Sequence, residues 1–173
     1  MIFDSIRNYF KRKNSCRVEA VDTIETSHLI PELLEKLVRE KIWPDNKISV
    51  NVQEDSPLIG IEIVKQISPD DRKLILMIPP FHTIQDEIND GHKFWTSELS
   101  NVGEIDYSNA LIIADFGIGS DSVVILYLDE ALEPCVKYLK WSGMGQNVTH
   151  TWEHVDDNFR NFAIRIGLIS SDV

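Results

Sequence analysis

The chain has 173 residues, 43% of them apolar and 26% charged, enough for one domain with a real core and too few for a two-lobed kinase. Its net charge of −11 is concentrated: positions 74–136 hold eleven Asp or Glu against one lysine, Lys93, so that window is −10 and the other 110 positions sum to −1. Such a block repels nucleic acid and anionic membrane and attracts basic partners; the plainer reading is a solvated face that keeps the chain soluble.

Cys16 and Cys135 are the only cysteines, and two thiols so far apart give neither a disulfide framework nor a zinc spacing. No run of 18 apolar residues is present, and the basic residues of the first stretch follow its apolar ones, unlike a secretion signal. A cytoplasmic, reducing location is the expectation.

In chain order, residues 2–13 place Ile2, Phe3, Ile6, Tyr9 and Phe10 at helical spacing beside Arg7, Lys11, Arg12 and Lys13. A short basic amphipathic helix lies on an anionic membrane, docks on its own domain or frays. "SHLIPELLEKLVREKIW" predicts a helix after Ser27 with Pro31 in its first turn, ended by Trp43-Pro44. "KISVNV" alternates like a strand, "SPLIGIEIVKQISPDD" is ambiguous, and "RKLILMIPPF" reads as a buried strand stopped by its prolines. "HTIQDEINDGHKFWTSEL" is helical in part and broken near Gly91.

From residue 109 the pattern turns to β: "ALIIADF", "SVVILYL" and "CVKYLKW" are three strand-like runs, and "NVTHTWEHV" adds a fourth. "DDNFRNFAIRIG" predicts a closing helix with Asp157 as N-cap, Phe159 and Phe162 on its apolar face, and Gly167 as C-terminal cap. The whole is an α+β domain with helices first, a mostly antiparallel sheet, and a helix last.

Asp115-Phe116-Gly117 matches the magnesium-binding tripeptide of kinases, but no H-R-D loop or glycine-rich phosphate loop accompanies it. Between two strand-like runs, Gly117 to Asp121 reads instead as a hairpin connection. There Gly117 and Gly119 supply positive φ, and Ser120 and Asp121 bond their own backbone. His150 and His154 stand four apart in an extended segment with no third ligand, so no metal is expected. No nucleophile motif points to catalysis. Trp141 and Trp152, at the ends of β runs, read as core. Trp95, beside Phe94 in the acidic window, reads as a contact anchor for a basic, partly apolar surface. The accompanying acids are Asp86, Glu87, Asp90, Glu98, Glu104, Asp106 and Asp121.

"IIADFGIGSDSVVILYL", "EPCVKYLKW", Trp152 and "FRNFAIRIGL", with the upstream "WP", "PPFHTI" and "FW", together resemble the SUKH superfamily, specifically its Smi/Knr-type domain, over about residues 29–168. Val123-Val124 and Leu126-Tyr127-Leu128 depart from that pattern, and the first 17 residues lie outside it. The expected organisation is thus a basic segment over 1–17 and a Smi/Knr-type domain over 18–173. The resemblance implies an α+β fold, no enzymatic activity and no cofactor. Bacterial members look like immunity proteins that neutralise a cognate toxin, often a nuclease, while fungal members are regulatory scaffolds.

Overall fold

The computed structural model describes residues 27–45, 50–96, 105–117, 122–129, 133–142 and 149–171. The amphipathic stretch at 2–13, and with it the expected boundary at residue 17, lies outside them. Among the described residues are five α-helices and a six-stranded antiparallel sheet, with helices before it and one after, the α+β arrangement that the periodicities predict.

Helix α1, Glu32–Arg39, begins after Pro31 and buries Leu34 and Leu37. It ends where Ile42 and Trp43 turn their amides back to the Leu37 carbonyl. Trp43 then drops into the core, its indole N–H donating to the Met77 carbonyl at 2.8 Å.

The next segment corrects an expectation. Val50–Asp55, the second half of the strand-like "KISVNV" and the residues beyond it, forms helix α2; residues 46–49 lie outside the described set. Tertiary contact overrides local alternation here. The Gln53 side chain is wholly buried, donating Nε2–H to the Leu76 carbonyl and accepting the Leu76 amide, both at 2.8 Å. One glutamine amide thus stands in for a neighbouring strand. The ambiguous segment resolves as helix α3, Ile61–Ile67, packing Val64 and Ile67 inward.

"RKLILMIPPF" contributes only a two-residue strand, β1, Ile75–Leu76. Met77 still donates its amide to the Ile113 carbonyl at 2.8 Å, but Pro79 and Pro80 have no amide with which to carry the ladder further. Strand β2, His82–Thr83, leads into helix α4, Ile84–Asn89. Thr83 and Asp86 close a capping box there: the Asp86 amide donates to Thr83 Oγ1 at 3.0 Å and the Thr83 amide to Asp86 Oδ2 at 2.8 Å. Gly91, at φ +85°, ends the helix as its sequence suggests, and a 3₁₀ turn at Lys93–Thr96 follows.

Strands β3 (Ala110–Asp115), β4 (Val123–Tyr127), β5 (Cys135–Ser142) and β6 (Thr149–Asp156) form a meander in sequence order. β1 and β2 both pair with the far side of β3, opposite Ala114–Asp115 and Leu111–Ile112 respectively. The last helix, α5, Phe159–Arg165, is capped by Asn158 and not by Asp157. Asn158 Oδ1 accepts the Asn161 amide at 2.9 Å, whereas Asp157 Oδ1 is 3.0 Å from His154 Nε2. Gly167, at φ +78°, closes the far end. Arg165 clamps the buried Asp156 with two bonds of 2.7 and 2.9 Å, tying α5 to β6.

Every residue of β3 is buried, so the sheet is covered on both sides at that strand, whereas β6 at its edge is largely open. One face carries Leu111, Ile113, Val124, Leu126, Val136 and Tyr138 against α1, α3 and α5. The other carries Ala110, Ile112, Ile125, Tyr127 and Leu139 against Met77, Ile84, Trp95 and partly buried aromatics.

Candidate functional site

Two places bring the expected residues together. The first is the turn that follows β3. Asp115 is buried at the end of β3 and accepts the Gly117 amide through Oδ1 at 2.8 Å, a bond that bends the chain across Phe116. Gly117 has φ +86°, and a Cβ there would lie 2.7 Å from Glu54 Oε1. Backbone conformation favours glycine here, and a side chain would also have to displace the Glu54 carboxylate that rests against it. Gly119, Ser120 and Asp121 lie outside the described residues.

Glu54 is held in place by Lys73, whose Nζ donates to Glu54 Oε2 at 2.8 Å and to the Glu54 carbonyl at 2.6 Å. Burial pushes the Asp115 carboxyl up to about 7; the Gly117 amide lowers it, and the charges of Glu54 and Asp71 raise it further. The sequence pattern assigns Asp115 and Gly117 to a structural turn but is silent on Glu54, Asp71 and Lys73. No spacing links those three to residue 115; only the packing of α2 and β1 against β3 does.

The second place is the aromatic face. Trp95 was the expected contact anchor, and the structure corrects this. Its ring is only 7% exposed, edge-on to Phe94 at 4.8 Å and to Tyr107 at 6.2 Å. A large ring beside an apolar sheet face gains more from burial than from exposure on a polar stretch.

Glu87 is corrected likewise. It is 4% exposed on the inner side of α4, with its Oε2 3.5 Å from His92 Nε2, and is not a surface acid. Asp86 is half-buried, and its carboxylate serves the capping box. Glu98 and Glu104 lie outside the described residues.

Asp90 and Asp106 are exposed as expected. Asp90 stands at the C-terminal end of α4, where a negative charge works against the helix dipole and adds nothing to stability. Asp106 caps the 3₁₀ turn Tyr107–Asn109, accepting the Ser108 amide at 2.9 Å. The Asn109 carbonyl accepts the Leu128 amide at 3.0 Å and the Tyr127 hydroxyl lies 3.3 Å from the Asp106 amide, so the end of β4 comes up beside this turn. Asp129 and Glu133 follow, both exposed. No motif marks either one, although both lie in the acidic window and flank the β4–β5 connection, where polar residues face solvent.

Trp141 and Trp152, read from the sequence as core, are partly exposed at the β5–β6 margin, Trp152 packing against the second cluster. Phe94 stacks on Trp141 at 6.0 Å, and the His150 ring meets Trp141 edge-on at 3.8 Å. Trp141 Nε1, Trp152 Nε1 and His150 Nε2 are buried without a hydrogen-bond partner. Burial also pushes the His150 imidazole below its usual range. His154 lies four residues along the same strand, directly opposite Lys137. A cation there opposes a second one, and among the described residues no three His, Cys, Asp or Glu side chains converge on a metal position. Cys135 is half-buried, and burial raises its thiol.

Among the described residues no helix is long and apolar enough to cross a membrane. In comparison with known proteins, no family model matches the chain, and neither does any curated protein or solved structure.

Proposed function

We propose that this protein is a non-catalytic inhibitor that binds a basic protein partner, a nuclease toxin, in the cytoplasm and blocks it by occlusion. The observation that carries the reading is the fate of the acidic window. Its apolar residues supply most of the sheet core, yet Asp90, Asp106, Asp129 and Glu133 remain exposed, and Asp106 and Asp129 come up at the same end of the sheet. Stability does not ask for exposed like charges in proximity, since they repel one another. An enzyme that binds a polyanion carries a basic surface, and a negative patch steers association with it and covers the same ground. The resemblance of the β3–β6 motifs and closing helix to Smi/Knr-type domains supports an immunity role.

The test is kinetic. The partner is captured from the native host and identified, and both rate constants are measured across a salt series. Association should slow on the order of tenfold or more from low to high salt, with dissociation changing less. Asp90→Lys and Asp106→Lys should slow association further, while Glu35→Lys, at an exposed site on α1, should not. Co-expression should restore growth to cells making the captured toxin. A captured regulator that is not a toxin would replace this reading with a scaffold module. An association rate indifferent to salt and to both reversals would leave the acids as solvated surface only.

A further inference from the structure

The corner between α2 and α3 exposes apolar side chains that neither core explains. Val52, Leu58 and Ile61 lie within ten residues of one another, and each is more than two-fifths exposed; Ile42, just past α1, is equally open. A single exposed aliphatic is ordinary, but three within one short helix–turn–helix leave apolar area in water that burial would remove. Across this corner, residues 50–62 carry Glu54, Asp55 and Glu62 and no basic residue, a net −3, and Asp55 and Glu62 are exposed.

The chain holds a complementary segment. Residues 2–13 carry four basic residues, Arg7, Lys11, Arg12 and Lys13, against Asp4, a net +3. As a helix, they set Ile2, Phe3, Ile6, Tyr9 and Phe10 along one side. The thirteen residues 14–26 that join this segment to the described chain at Ser27 span up to about 45 Å when extended. A domain of this size has a radius of gyration of only about 15 Å, so the corner is within reach. A helix of a dozen residues is marginal by itself in water, and an apolar surface to lie on is what it lacks.

We propose that residues 2–13 fold as a helix onto the α2–α3 corner, covering Val52, Leu58 and Ile61 and setting their basic residues beside Asp55 and Glu62. The segment is a docked arm of the same chain. This is independent of the acidic end near Asp106, and either assignment stands if the other fails.

A nitroxide on Cys16 in the full-length chain, with Cys135→Ser so that one thiol is labelled, tests it by paramagnetic broadening. The amides of Val52, Leu58 and Ile61 should lose more than half their intensity, and Ile6→Asp with Phe10→Asp should restore it. The spectrum of the sheet should not change with these two substitutions. Three outcomes overturn the proposal. The corner amides keep their intensity; or broadening appears on an isotope-labelled copy without nitroxide when it is mixed with a nitroxide-bearing one, making a second molecule the cover; or it appears only with vesicles of anionic lipid, making the segment a membrane anchor.

Discussion

The two faces of the sheet are built from the same four strands but finished differently. On the first face, aliphatic side chains meet three amphipathic helices, and the buried polar groups there are matched: the Trp43 indole to Met77, the Gln53 amide to Leu76, Asp156 to Arg165. On the second, a six-residue helix and 3₁₀ turns cover an aromatic layer, and three ring nitrogens stay buried and unmatched. The first face holds the larger cluster of buried side chains. The second carries the exposed acids at its margin and leaves polar groups unsatisfied, a pattern expected where a surface is shaped by something other than folding.

The sharpest way to break that division is to remove a ring from the first face. Phe162 is fully buried on α5 among the first-face residues, and Phe159 lies 5.8 Å from Trp43. Phe162→Ala should cost about 3–5 kcal/mol, a large share of the roughly 5–15 kcal/mol typical of a domain. Urea unfolding measures it. A cost below about 1 kcal/mol would mean that the closing helix does not hold the core.

Asp115 gives the next effect, at the border where the first face passes into the α2 carboxylates. Its folded value is about 7 against an ordinary 3.8, so between those limits the folded state holds the proton more tightly than the unfolded state. Its contribution to stability is therefore greatest below pH 4, falls as pH rises towards 7, and stays lost above that. Asp115→Asn keeps an acceptor for the Gly117 amide and removes the charge. The variant should be more stable than the parent at pH 8 by several kcal/mol, because each tenfold difference in proton affinity between folded and unfolded chain is worth about 1.4 kcal/mol. The gap should close towards pH 4. Parallel stability profiles for the two proteins across that range would show that Asp115 folds with its charge intact.

The two faces were unequally legible in the sequence. Strands β3 to β5 announce themselves as apolar runs between turn residues, and Phe159, Phe162 and Gly167 mark the closing helix by spacing. Such signals are local, and the sequence carries them whole. "KISVNV" misled because the residue that decides its fate, Gln53, acts through a backbone 23 positions away. Asp157 was a sound cap by residue type, but Asn158 stood one place later and His154 engaged the aspartate. Trp95 and Glu87 misled for a related reason: a polar neighbourhood in sequence says little about which side of a short helix or turn meets a sheet. The acidic window was legible as charge; which of its carboxylates stay in water was not.

The smallest effect separates the faces most cleanly, because it nearly keeps the ring's shape and removes one donor. Replacing an indole by benzothiophene removes the N–H donor and keeps the bicyclic ring. At Trp43 this should cost about 1–3 kcal/mol, since the Met77 carbonyl is left buried without its donor. At Trp141 and Trp152 no bond is lost, because neither indole nitrogen has a partner. There the same change should be neutral or stabilising by no more than about 1 kcal/mol. Chemical unfolding of the three singly substituted proteins reads the difference directly. Equal losses at all three positions would mean that the second-face indoles are hydrogen-bonded in solution, and the two faces would then differ only in what covers them.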